Sequence, residues 1–130
     1  MSFDPKDYVA VAEHLRRTAD NGCPHEAALR VAMGRYYYAA LLCTRRHLSK
    51  STMQDDFGET THRTVLGRLR ESAEPESQLL FSGLNRMREL RNQADYGDAF
   101  ANLSAEVDRM AKLCHKALGH VATLERRARR

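Results

Sequence analysis

The sequence predicts an all-α fold, an up-and-down bundle of four or five helices in a single domain spanning residues 1–130. Good helix formers such as Ala, Leu, Arg and Glu are abundant, whereas the chain has only three prolines. Apolar residues recur at spacings of three and four over stretches long enough for helices. A chain of 130 residues is sufficient for one hydrophobic core and short for two.

Net charge is unevenly distributed along the chain. Of the total of +4, the four arginines and one glutamate of residues 125–130 contribute +3, which leaves +1 for the remainder. This arginine-rich C-terminal segment could contact nucleic acid or an acidic membrane surface, or it is simply a solvated helix terminus. We see no secretory signal and no apolar run that would span a bilayer, so we expect a cytoplasmic protein without membrane contact.

Cysteine and histidine spacings indicate no metal or disulfide chemistry. The three cysteines, Cys23, Cys43 and Cys114, contain no close pair, and an odd number argues against a disulfide framework. The six histidines show neither an HxxxH nor an HExxH spacing. We therefore expect no metal site and no cofactor.

The first helix is predicted to begin at Asp4-Pro5, where the Asp side chain caps free N–H groups, and to end near Asp20. The second is predicted from Pro24 to about Leu48. Its apolar residues surround most of its circumference, as expected for a helix buried on most sides. Two explanations stay open: a central helix packed by all the others, or a helix shared with a second subunit.

Residues Ser49 to Thr61, including Gln54–Glu59, have little apolar content and predict the one long loop, which is either functional or mobile. A third helix is predicted from Thr61 or His62 to Ser72. Pro75 ends that segment.

A fourth helix is predicted from Glu76 to Tyr96, with Gly97 as its stop. The last helix has Asn102 or Ser104 as its cap and a regular apolar seam from Leu103 to Leu124.

A charged pair lies at the end of the fourth helix. At 100° per residue, Arg88, Arg91 and Asp95 point within about 40° of Leu84. This places them on the rim of the apolar stripe. An exposed Arg91–Asp95 pair would contribute only about 0.3–0.5 kcal/mol, and its base-before-acid order is unfavourable to the helix dipole. A groove edge or an interface explains the charges better, although a structural ion pair is an alternative.

Two motifs together carry a family resemblance. The second helix contains Arg30-x-Ala32-x-x-Arg35-x-Tyr37-Tyr38-Ala39-Ala40, and the fourth ends in Leu90-Arg91-x-x-Ala94-Asp95-Tyr96. With the Thr61-His62 start of the third helix, residues 24–97 resemble the HEPN family of small helical domains from prokaryotic toxin and defence systems. The resemblance implies a homodimer in which two copies of the fourth-helix motif face each other across a cleft.

The resemblance also implies a function. Many members are metal-independent endoribonucleases that use an Arg, four to six intervening residues and a His. Arg91 and Asn92 match the start of that motif, but Tyr96 stands where a histidine would be. Metal-free RNA cleavage needs a group that titrates near neutrality, whereas the pKa of Tyr is near 10. Arg91, Asn92, Asp95 and Tyr96 are the candidate catalytic residues.

Other residues are candidates for RNA contact. Arg35 and Tyr37 offer a cation beside an aromatic ring, and Arg88 and His62 extend the site. Tyr36 is expected in the core instead, and His62 alternatively just begins its helix. His47 lies on an apolar stripe and is expected to be a packed histidine.

Two functions are therefore considered. The first is a homodimeric protein that binds or cleaves RNA, as a toxin of a toxin–antitoxin or defence system. By resemblance, its partner would be a nucleotidyltransferase antitoxin that neutralises it, through modification of the motif tyrosine for example. The second is a non-catalytic dimerising adaptor or nucleotide-binding module for a partner protein, which the nearly neutral body of the chain favours.

Overall fold

The computed structural model describes residues 3–20, 22, 24–52 and 61–129. Within them the chain forms five α-helices and no strand, which confirms the all-α bundle. The helices are α1 Asp7–Thr18, α2 His25–Thr52, α3 Thr61–Glu71, α4 Pro75–Tyr96 and α5 Leu103–Ala128. None of these helices is both long enough and apolar enough to cross a membrane.

Helix α2 occupies the centre of the bundle and packs against each of the other four helices. Its side chains are buried on several faces, and Tyr36 is completely inaccessible, as predicted for a core residue. The hydroxyl of Tyr36 donates to Glu13 (2.8 Å) and accepts from Arg16 (3.3 Å), both on α1. The apolar character of α2 is thus explained by its central position. His47 is buried too, as predicted.

Two predicted helix boundaries were wrong. Helix α1 begins at Asp7, because residues Asp4 to Lys6 form a turn in which Asp4 Oδ1 accepts from the Lys6 N–H (3.0 Å). Helix α2 continues four residues past Leu48 to Thr52, so the predicted loop begins later than Ser49. The Gln54–Glu59 segment lies outside the described residues.

The end of α4 is fixed by a close approach of its own backbone. Gly97 has an extended conformation (φ −78°), so the helix stops without a left-handed residue, and its N–H donates to the Gln93 carbonyl (2.9 Å). A Cβ at Gly97 would lie 2.7 Å from that carbonyl oxygen. Any larger residue at position 97 would therefore collide with the backbone of α4, which explains the glycine. Asn102 precedes α5 in a left-handed conformation, but its side chain makes no capping hydrogen bond, contrary to the prediction.

Candidate functional site

Arg91 is held in place by four neighbours. Its Nη1 donates to the Tyr38 hydroxyl (3.1 Å) and lies 3.5 Å from Asp95 Oδ2, and its Nη2 donates to Asn92 Oδ1 (2.9 Å). The guanidinium carbon lies 5.3 Å from the centroid of the Tyr37 ring and 5.6 Å from that of Tyr38. With 20% of its side chain exposed, Arg91 sits on the rim of the bundle. The structure thus brings Asn92 and Asp95 together with Arg91.

Arg35 joins the same cluster through aromatic rings. Its guanidinium lies 5.1 Å from the Tyr8 ring centroid and 5.2 Å from that of Tyr38. No acid pairs with Arg35 within the part of the chain that the structure describes, and Asp95 pairs with Arg91 instead. Tyr38 thus has a cation on its ring from α2 and another from α4.

Tyr37 connects this cluster to α3. Its hydroxyl lies 2.6 Å from His62 Nδ1, and only 2% of the residue is exposed. Burial raises the pKa of Tyr37 to about 12, and the positive charge of Arg91 opposes that increase in part. Tyr37 is therefore a neutral phenol at physiological pH, able to donate to or accept from the imidazole.

His62 is neutral at physiological pH because its pKa is lowered. Burial is the main cause, followed by the positive charge of Arg88; the Asn85 side chain favours protonation and partly opposes both. His62 Nε2 is buried and makes no hydrogen bond of ordinary geometry in the described part of the chain. A neutral imidazole with one nitrogen unengaged can accept a proton.

Tyr96 stands apart from the other motif residues. It is 78% exposed, and within the described residues it makes no hydrogen bond and no ring contact. The side chain therefore takes no part in the Arg91 cluster of a single chain. Arg88 is also exposed, and it faces a cleft between α3 and α4.

Several residues of that cleft were not among the predicted site residues. It is a cavity of about 480 Å³ whose walls carry three arginines, one histidine and no acid. Its lining residues are His62, Arg63, Leu66, Gly67, Arg70, Phe81, Asn85 and Arg88. The sequence does contain a pattern that could have indicated these residues. On each helix three of them are separated by four and then three positions, at 63, 67 and 70 on α3 and at 81, 85 and 88 on α4, which places each set of three on one helix face.

No group of three or more His, Cys, Asp or Glu side chains suited to a metal occurs among the described residues. Cys43 and Cys114 are buried free thiols, and burial raises their pKa to about 11 and about 12. Comparison with models of protein families, with curated proteins and with solved structures finds no match to this chain. The family resemblance therefore remains a prediction, and the function has to be inferred from the residues themselves.

Proposed function

We propose that this chain is a HEPN-like, homodimeric RNA-binding protein whose site is built around Arg91, and that it cleaves RNA when two copies assemble. One observation carries the proposal: Arg91 on α4 and His62 on α3 are linked through the single side chain of Tyr37. In metal-free RNA cleavage a fixed cation can stabilise the charge on the phosphoryl oxygens, and a neutral imidazole can take the proton of the 2′-hydroxyl. In this proposal His62 takes the role that the motif assigns to the position of Tyr96.

The proposed cleavage reaction follows from the neutral state of His62 and the positive charge of Arg91. When His62 Nδ1–H donates to the Tyr37 oxygen, Nε2 carries the lone pair. This nitrogen is buried in the free chain, so the proposal requires the His62 ring to turn toward the cleft before Nε2 accepts the proton of a ribose 2′-hydroxyl. The 2′-oxygen attacks phosphorus and the bond to the 5′-oxygen breaks. The 5′-oxygen takes a proton from water and leaves as a hydroxyl, a 2′,3′-cyclic phosphate is formed, and His62 returns its proton to solvent. Arg91 stabilises the charge that develops on the phosphoryl oxygens. Asn92 and Asp95 hold the guanidinium in its orientation.

Dimerisation would cover large side chains that a single chain leaves exposed. Tyr96 and Val31 are large side chains that are 78% and 51% exposed, and a second copy facing α4 would cover surface of this kind. Tyr96 would then approach the Arg91 cluster of the partner, or would be reached by a nucleotidyltransferase antitoxin. The test is the mass of the particle in solution: a dimer is expected for the native chain and a monomer for Tyr96→Arg.

Cleavage is measured with labelled single-stranded and structured RNA in the presence of a chelator. We expect cutting by the native chain, a loss of at least about tenfold in Arg91→Ala and His62→Gln, and no change in Arg109→Ala, a paired surface arginine on α5. The rate should rise with pH through the lowered pKa of His62, below 6.5, and then level off. RNA that stays intact at enzyme excess contradicts the nuclease; RNA that is not even bound at low salt contradicts the RNA function altogether.

A structural role as a dimerising adaptor is favoured by the contacts of Arg91. Only 20% of its side chain is exposed, its guanidinium contacts the Tyr37 and Tyr38 rings of α2, and Tyr37 in turn contacts His62 of α3. If these groups only hold α2, α3 and α4 together, the domain is a dimerising adaptor for a partner protein. In that case Arg91→Ala would lower the free energy of unfolding and partner binding, while RNA binding would be absent in the native chain as well.

A further inference from the structure

The cleft between α3 and α4 has the composition of a binding site for a nucleic-acid strand. We propose that it binds one unstacked nucleotide of a single-stranded RNA, as a subsite beside Arg91. The inference rests on the proposed RNA function and adds to it a specific pocket and a preference for single strands. Its volume of about 480 Å³ lies within the roughly 300–1,000 Å³ usual for small-ligand pockets.

Uncompensated positive charge is the first observation. Within the described part of the chain, no acidic side chain pairs with Arg63, Arg70 or Arg88. By contrast, Arg86 on α4 pairs with Glu89 at 3.3 Å, although it is only two residues from Arg88. Three exposed arginines around one cavity, with no acidic partner among the described residues, favour the binding of phosphate groups.

The positive charge of one cleft arginine, Arg88, acts on two neighbouring groups. Arg88 lowers the pKa of His62, and it opposes the increase in the pKa of Tyr37. Both groups lie between the cleft and Arg91, because Tyr37 contacts the Arg91 guanidinium and His62 lines the cleft. A strand that crosses from Arg91 into the cleft therefore stays in a positive potential.

A flat stacking surface is the second observation. The guanidinium of Arg70 lies 5.1 Å from the centroid of the Phe81 ring, a cation–π contact that holds this otherwise mobile side chain against α4. Unpaired RNA bases stack on aromatic rings and on guanidinium planes, whereas bases within a duplex are not available for such stacking. The Asn85 amide, between Phe81 and Arg88 on the same helix face, offers a donor and an acceptor to a base edge.

Gly67 supplies the space. It lines the cavity, and a Cβ added there would meet no atom within 4 Å. A side chain at this position therefore begins in open space beside the cleft, and leucine has a higher helix propensity than glycine. Gly67→Leu is therefore expected to block the pocket without a change in charge or a loss of helix propensity in α3.

The test is fluorescence anisotropy with a short single-stranded RNA and with its duplex, across a range of salt concentrations. All proteins keep Arg91, and the riboses of the probe carry 2′-O-methyl groups, which lack the attacking hydroxyl, so that cleavage does not consume the probe. We expect the single strand to bind more tightly than the duplex. Phe81→Leu and Gly67→Leu should each weaken it about tenfold with an unchanged salt slope. Arg88→Ala should reduce that slope by about 0.7. Arg86→Ala, which removes the same charge outside the pocket, should leave affinity nearly unchanged.

Two outcomes would overturn the inference. Equal affinity for single strand and duplex would exclude an unstacked nucleotide in the cleft. Unchanged affinity in both Phe81→Leu and Gly67→Leu, in proteins whose circular dichroism is native, would show that RNA binds elsewhere. Either result would still be compatible with RNA binding elsewhere on the protein. If the native chain binds no RNA at low salt, however, the proposed function is refuted, and the subsite with it.

Discussion

Arg30 connects the central helix to the end of the helix that carries the candidate site, and its removal should be costly. Its Nη1 donates to the carbonyl oxygens of Ala94 (2.9 Å) and Gly97 (2.6 Å), and its guanidinium lies 5.8 Å from the Phe100 ring centroid. Only 15% of the side chain is exposed. A cation at the C-terminus of a helix is also favoured by the helix dipole.

The expected magnitude follows from these contacts. A hydrogen bond to a charged group contributes about 1.5–3 kcal/mol, and two bonds from one guanidinium are not additive. The pair with Glu26 is half-exposed and adds little. Arg30→Ala should therefore lower the free energy of unfolding by about 2–4 kcal/mol. For a domain of this size the melting temperature should decrease by roughly 3–6 °C per kcal/mol.

Urea denaturation followed by circular dichroism measures the change directly. Arg86→Ala is the matched control, because Arg86 is 45% exposed and has an i,i+3 pair with Glu89, which is 67% exposed, so its loss should be within about 0.5 kcal/mol. Arg30→Lys, which keeps the charge but not the paired geometry, should fall between the two. A loss in Arg30→Ala no larger than that of Arg86→Ala would refute the role assigned to these two hydrogen bonds.

Three further predictions concern other parts of the fold. Gly97→Ala should lower the free energy of unfolding by about 1–3 kcal/mol, because its Cβ would lie 2.7 Å from the Gln93 carbonyl oxygen; a thermal melt unchanged from the native one would contradict this. Tyr36→Phe should lower the free energy of unfolding, measured by urea denaturation, by about 1–2 kcal/mol, since it removes the buried hydroxyl that donates to Glu13. An unchanged free energy of unfolding would show that this hydrogen bond contributes nothing to stability. The folded-state pKa of His62 is depressed, so its contribution to stability is complete above pH 6.5 and is lost as the pH falls toward that pKa. Titration of the His62 ring by NMR should give a midpoint below pH 6.5. A midpoint above pH 6.5 would contradict this prediction, because His62 would then stabilise the fold at low pH instead of at high pH.

The helices were predictable because their apolar spacing is strong, whereas their ends depend on contacts that spacing does not encode. The last turn of α2 contains Lys50, which lies in a polar stretch typical of a loop. In the folded chain Lys50 Nζ lies 3.7 Å from Glu125 on α5. That ion pair joins residues 75 positions apart in the sequence, so no local pattern reports it. The observed start of α1 differs from the predicted one for a local reason, because Asp4 accepts a hydrogen bond from the Lys6 N–H and forms a turn before the helix.

Residue spacing alone predicted only the part of the site that a single helix encodes, whereas Arg35, Tyr37 and His62 were added through the family resemblance. The i,i+4 relation of Arg91 and Asp95 is visible in the sequence, and the structure confirms the pair at 3.5 Å. The α3–α4 cleft depends on the face that each helix turns toward the other, and this is a tertiary property. Arg70 and Phe81 belong to different helices, so nothing in the sequence pairs them before the two helices are packed together.

The adjacent tyrosines of α2 make the two parts of the site depend on each other. Successive residues of a helix point about 100° apart, so Tyr37 reaches His62 on α3 while Tyr38 faces Arg35. The Arg91 guanidinium contacts both rings. Because Tyr37 is almost fully buried, it has little freedom to move independently of either neighbour. A ligand in the cleft that displaces His62 must therefore alter the packing against Arg91, so occupancy of the α3–α4 cleft and the orientation of Arg91 should be coupled.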